Sequence, residues 1–105
     1  MSRIQREHPE AREELRAAAH WYDDEQPGLG ADFYDAVDGA LRHILEWPDS
    51  APVLPGWEDT LEVRSMHVGS FPYRVLYYLT ETSIVILAYA HEHRKPGYWR
   101  RRLRS

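Results

Sequence analysis

The chain has 105 residues, a formal net charge of −4 and no cysteine. That size fits one domain burying about two thirds of its unfolded-chain surface, and the lack of cysteine excludes a disulfide framework or a thiolate metal site. Residues 1–20 are charged throughout and no run approaches about 18 apolar residues, so the expectation is a soluble, cytoplasmic protein without signal peptide or membrane span.

In chain order, residues 2–8 offer one strong apolar position, Ile4, which suits a short edge strand. Pro9 fits the first turn of a helix, and Glu10, Glu13 and Glu14 lie near its positive end. Ala11, Leu15, Ala18, Ala19 and Tyr22 recur at helical spacing until Pro27-Gly28 stops the pattern after about Glu25. A second stripe, Phe33, Val37, Leu41, Ile44 and Leu45, ends at Pro48, with Asp32 and Asp35 favouring its start. The link Gln26-Pro27-Gly28-Leu29-Gly30 is short enough to make the two helices an antiparallel hairpin. Residues 48–59 are rich in Pro and Gly and read as a loop, with Val53, Leu54 and Trp57 as a packed lid.

Three extended runs follow. Residues 61–68 form the first, and Gly69-Ser70-Phe71-Pro72 turns the chain into Tyr73–Leu79. Thr80-Glu81-Thr82-Ser83 then connects it to residues 84–91 as an antiparallel hairpin. Alternation puts Tyr73, Val75, Tyr77 and Leu79 on one face of the second run. In the third, Ile84, Ile86, Ala88 and Ala90 oppose Val85, Leu87, Tyr89 and His91, the apolar pattern of a central strand. The expected fold is α+β, in the order β-α-α-β-β-β, with an N-terminal helical hairpin packed on a small antiparallel sheet.

Residues 1–59 hold 14 acids and 5 bases (−9), whereas residues 60–105 hold 3 acids and 8 bases (+5). Arg94, Lys95, Arg100, Arg101, Arg102 and Arg104 cluster at the C-terminal end, which points either to an acidic or polyanionic partner or to a solvated tail. The acidic face of the first helix, with Glu10, Glu13 and Glu14, reads as solvated. His91-x-His93 lacks a further ligand at useful spacing, so no metal is expected.

Glu10-Ala11 leading into Trp21-Tyr22, then Pro27-Gly28-Leu29-Gly30, Val63-Arg64, Phe71-Pro72-Tyr73-Arg74-Val75 and Ala90-His91 through Arg94-x-Pro96-Gly97-Tyr98-Trp99 follow one another along nearly the whole chain. In that order and spacing they resemble the RelE/ParE superfamily of bacterial toxin-antitoxin toxins, most of all its plasmid stabilisation branch. The resemblance implies a cytoplasmic toxin without cofactor, held in a hetero-oligomer by a cognate antitoxin whose extended or helical segment wraps it. It also implies one of two targets: DNA gyrase, bound without chemistry, or messenger RNA cleaved in the ribosome without metal. Gyrase is the favoured target. A third reading is a decayed toxin that only binds antitoxin.

Cleaving RNA through its 2′-OH needs a base, an acid and a cation beside the crowded phosphate. Arg94, Tyr98 and His91 are the candidates for catalysis if the chain is a ribonuclease, with His93 a further proton carrier. Arg64 and Arg74 are candidates for phosphate or target binding, or for pairing with the acidic hairpin. Glu58, Asp59 and Glu62 stand where ribosome-dependent nucleases tend to carry basic residues, which weighs against cleavage. The expected antitoxin contact is the basic and aromatic segment with Arg94, Lys95, Tyr98, Trp99, Arg100 and Arg101, although Tyr98 and Trp99 also suit a packing role.

Overall fold

The computed structural model describes residues 3–55 and 61–104. β1 (Ile4–Glu7) leads into two helices, α1 (Pro9–Glu25) and α2 (Leu29–Glu46). β2 (Arg64–His67), β3 (Tyr73–Leu79) and β4 (Ser83–His91) follow, and a 3-10 turn (Arg100–Arg104) comes after them. The order in the four-stranded sheet is β1-β4-β3-β2.

β2, β3 and β4 pair antiparallel, as their turns require. β1 pairs with β4 in parallel, so the sheet is mixed rather than wholly antiparallel. Its short run leaves it at the edge, tied to β4 through Ile4 N–H to the Thr82 carbonyl (2.8 Å) and His8 N–H to the Ile86 carbonyl (2.9 Å).

His8 caps α1, its Nδ1 accepting from the Glu10 N–H, and Pro9 occupies the first turn. The hairpin link is tighter than expected because α2 already begins at Leu29. Gly28 takes the left-handed conformation (φ 91°) that an ordinary side chain disfavours. Asp23 Oδ1, from the preceding helix, accepts from the N–H groups of Gly28 (3.2 Å) and Gly30 (2.8 Å), satisfying donors that α2 leaves open.

The helices bury Ala11, Leu15, Ala18 and Ala19 of α1 against Phe33, Val37, Ala40 and Ile44 of α2, and both against one face of the sheet. Leu45, expected in this stripe, is 49% exposed, and Ala40 lies inward instead. Tyr22, Phe33, Phe71 and Tyr73 meet at ring separations of 5.0 to 6.2 Å and close the open end of this core. The opposite sheet face carries a second cluster in which Val63, Leu76, Leu87, Ala88 and Trp99 are buried.

The alternation expected along β4 fails at one point. Leu76 pairs with Ala88 but Tyr77 pairs with Ile86, so Leu87 is an extra residue, a bulge. Beyond it the faces exchange: Ile84, Ile86 and Tyr89 join the helix-side core, while Leu87 and Ala88 join the second cluster.

Of the three lid residues, Val53 bridges Arg64 and Leu54 packs on the second cluster. Trp57 lies outside the described residues, as do Glu58 and Asp59.

Candidate functional site

After β4 the chain turns back on itself. The His91 carbonyl accepts from the Arg94 N–H, and Gly97 (φ 80°) redirects the chain so that Tyr98 and Trp99 return to the protein. Trp99 is only 3% exposed and fills the second cluster, so its ring is already covered in this chain.

Four hydrogen bonds from three residues converge on the Glu14 carboxylate. The Tyr98 hydroxyl donates to Oε2, Arg102 donates to Oε1 (2.8 Å) and Oε2 (3.0 Å), and the Tyr89 backbone N–H donates to Oε1 (3.1 Å). The bulge explains the last contact. Tyr89 N–H and the Leu87 carbonyl lie on β4 beyond the end of β1, and side chains take the place of a strand partner: Glu14 accepts from the first, and Arg102 donates to the second at 3.0 Å. Next to it, Arg101 forms a fork with both oxygens of Glu10, at 2.8 and 2.6 Å. This bond holds the Glu10 carboxyl below its ordinary pKa.

The acidic face of α1 is therefore not simply solvated: Glu10 and Glu14 clasp the basic C-terminal segment, Glu14 through the buried Arg102 and Glu10 through Arg101, whose side chain stays at the surface. The distribution of charge along the sequence held the one signal for it, opposite signs in the two halves. Glu13 alone of the three keeps a local surface pair, with Arg16.

Tyr98 is half-buried, and burial raises its pKa above the ordinary phenolic value, with the bond to Glu14 adding in the same direction. Tyr89 is raised likewise, by burial and by its 2.6 Å bond to Glu7. The Arg94 guanidinium lies 4.0 Å above the Tyr98 ring. His91 packs against Tyr73 on one side and His93 on the other, at ring separations of 5.1 and 5.2 Å. Among the described residues no group of three or more His, Asp or Glu is placed to hold a metal ion.

Among the described residues, neither Arg64 nor Arg74 pairs with a carboxylate of the two helices. Arg64 donates to the carbonyls of Asp49 (3.0 Å) and Ala51 (2.7 Å) and pins the loop after α2. Arg74 bonds the Ser65 hydroxyl and carbonyl and lies 4.0 Å from Glu92, which also faces His67 at 3.5 Å. A hollow of about 170 Å³ between the outer sheet face and the 94–99 turn brings Arg74, His91, Arg94 and Lys95 together, with Glu92 among them. Lys95, Arg100 and Arg101 are exposed on the same C-terminal segment. Sequence reasoning missed a second concave surface, on the α1 side, where Trp21 stands 57% exposed.

The chain is thus an α+β protein with a helical hairpin on one face of a mixed sheet and its C-terminal segment folded onto α1. A chain of the structure "Chromosomal ParDE TA system from P. aeruginosa" superposes with a TM-score of 0.72 and 13% identity, covering 86% of this chain and 96% of that one. Residues 6–96 match the family model described as ParE toxin of type II toxin-antitoxin system, parDE. The chain belongs to the ParE toxin family. No curated protein matches it in sequence.

Proposed function

We propose that the chain is the toxin of a type II toxin-antitoxin pair, neutralised by a cognate antitoxin, and that it acts by binding an essential target, DNA gyrase, without chemistry of its own. Family membership supports the first part. The observation that favours binding over cleavage is the state of Tyr98. Its hydroxyl donates to Glu14, which Arg102 neutralises, and its pKa is raised, so it is a poor proton-transfer group near neutral pH. Arg64, a candidate phosphate ligand, is committed to two loop carbonyls.

The antitoxin contact assigned to the C-terminal segment rests on its exposed members, Arg94, Lys95, Arg100 and Arg101, with Tyr98 and Trp99 supporting them from beneath. A second reading, ribosome-dependent cleavage of messenger RNA, draws on the hollow where Arg74, His91, Arg94 and Lys95 meet. The deciding experiment takes the purified, antitoxin-free chain into two assays: DNA supercoiling by gyrase, and cleavage of a defined messenger RNA on programmed ribosomes. Loss of supercoiling with intact RNA supports the first reading, and a mapped cut with unimpaired gyrase replaces it by the second. Inactivity in both, with no growth arrest on expression but retained antitoxin binding, identifies a decayed toxin.

A further inference from the structure

Trp21 stands 57% exposed on α1, the helix that turns Ala11, Leu15, Ala18 and Ala19 inward. Its ring meets Tyr22 edge-on at 5.2 Å, and Tyr22 in turn meets Phe71 and Tyr73, so Trp21 carries the aromatic end of the core out to the surface. Two adjoining hollows share Trp21, Tyr73 and His91. One, of about 490 Å³, is walled by these three with Tyr22 and Pro72 and has no carboxylate or guanidinium in its lining. The other, of about 280 Å³, runs over the small residues Ala17 and Ala18 towards Glu14 and Arg94.

The charges along this groove differ from end to end. Glu14 is already engaged by Tyr98, Arg102 and the Tyr89 N–H, so the charge left to face an occupant there is that of Arg94, with Lys95 beyond it. Three and four residues on from Trp21, at the negative terminus of α1, Asp24 and Glu25 are exposed, Asp24 lying 3.5 Å from His20. A nucleic-acid strand, negative at every step, is repelled at that end, whereas a peptide can match both signs.

We propose that this groove is a docking site for a segment of the antitoxin bearing a carboxylate for Arg94, a large aromatic or aliphatic anchor for the Trp21–Tyr73–His91 hollow, and a basic residue for Asp24 and Glu25. The proposal rests on the toxin-antitoxin reading above and extends the antitoxin contact from Arg94, at the start of the C-terminal basic segment, along α1 to Trp21. From Glu14 to Asp24 the helix covers about 15 Å, a span that roughly five residues of extended chain match.

The test compares the wild type with Trp21→Ala, Trp21→Phe and Arg94→Glu for affinity to the full-length antitoxin encoded beside the toxin gene, with circular dichroism as the folding check. Trp21 and Arg94 are both exposed, so the core is untouched by these changes. Trp21→Ala and Arg94→Glu should each weaken binding about tenfold or more, as anchors of an interface do, and Trp21→Phe should retain most of it. A photo-crosslinking phenylalanine analogue at position 21 should join the antitoxin within a segment holding the three features. If the wild type binds antitoxin and Trp21→Ala binds it equally well, the groove assignment fails while the toxin-antitoxin reading stands. Crosslinking to a second copy of the chain, or to an antitoxin segment without an acidic residue, also overturns it. If the folded wild type binds no antitoxin, both readings fall together.

Discussion

Arg102 grips both oxygens of Glu14, at 2.8 and 3.0 Å, across 88 residues of sequence. The guanidinium side chain is 4% exposed and the carboxylate side chain 15%, so each charge is removed from water beside the other. Breaking one partner of such a pair leaves a buried charge uncompensated. Glu14→Ala should therefore lose about 3–5 kcal/mol of stability, measured by urea unfolding. The Glu14→Ala/Arg102→Ala double variant should lose less than the two single losses combined, because the second change removes the stranded charge. Additive losses would mean that the pair is not coupled.

Alkaline pH offers a second check. Tyr89 and Tyr98 have pKa values raised by burial and by donation to Glu7 and Glu14, and Tyr22, Tyr73 and Tyr77 move the same way through burial. The unfolded chain releases its phenolic protons near pH 10, while the folded chain keeps them. Their stabilisation is complete below about pH 10 and is lost as pH rises from there through the folded values. Unfolding free energy should fall between roughly pH 9 and 11, less steeply in Tyr98→Phe. A flat profile in the wild type would contradict the burial of these hydroxyls.

Two glycines of α2 should respond in opposite directions. A methyl group on Gly30 would sit 2.6 Å from the Ala19 carbonyl oxygen and 2.7 Å from Asp23 Cγ. Gly30→Ala should thus prise the helices apart at a cost of about 1–3 kcal/mol. Gly39 has nothing within 4 Å of that position, and Gly39→Ala should gain about 0.5–1 kcal/mol from the better helix former. Calorimetry should rank Gly39→Ala above the wild type and Gly30→Ala below it.

Arg64 donates to two carbonyls of the loop after α2. Arg64→Ala should lose about 1–2 kcal/mol through the two carbonyls it leaves, while growth inhibition on expression persists at protein levels matched to the wild type. Intact stability combined with lost toxicity would return Arg64 to the list of target contacts.

Tyr98→Phe separates the two modes of action. Under the binding reading it keeps the ring beneath Arg94, loses one bond to Glu14 and still arrests growth. Under cleavage, removal of the hydroxyl abolishes arrest without unfolding the chain, and Arg94→Ala does the same. Plate growth with an inducible promoter distinguishes them.

The span of α1, the limits of β3 and the packing of the hairpin on the sheet were readable because each follows from local signals: Pro9, the Ala11-Leu15-Ala18-Ala19 spacing and the turns on either side of Tyr73–Leu79. The direction of β1 was not, since strand partners are chosen by the tertiary fold and Ile4 alone carries little pattern. The bulge at Leu87 escaped for a related reason. Both faces of β4 are apolar, so shifting the faces by one residue leaves no polar residue out of place to reveal it. Of the candidate site, the residue types were legible and their engagements were not. Glu10 and Glu14 look solvent-facing when read beside their neighbours on α1, and only the opposite charge of the distant segment hints that they meet it.

The clasp between α1 and the C-terminal segment also has a bearing on synthesis. A chain emerging from the ribosome presents α1 early, but the groups that close on Glu14 lie 75 to 88 residues downstream. The hairpin can assemble while translation continues, yet the edge of the sheet beyond β1 stays open until Arg102 has left the exit tunnel. The nascent chain thus reaches its finished form only after nearly all of this sequence has been made, so an antitoxin already present meets the complete surface at the moment it first exists.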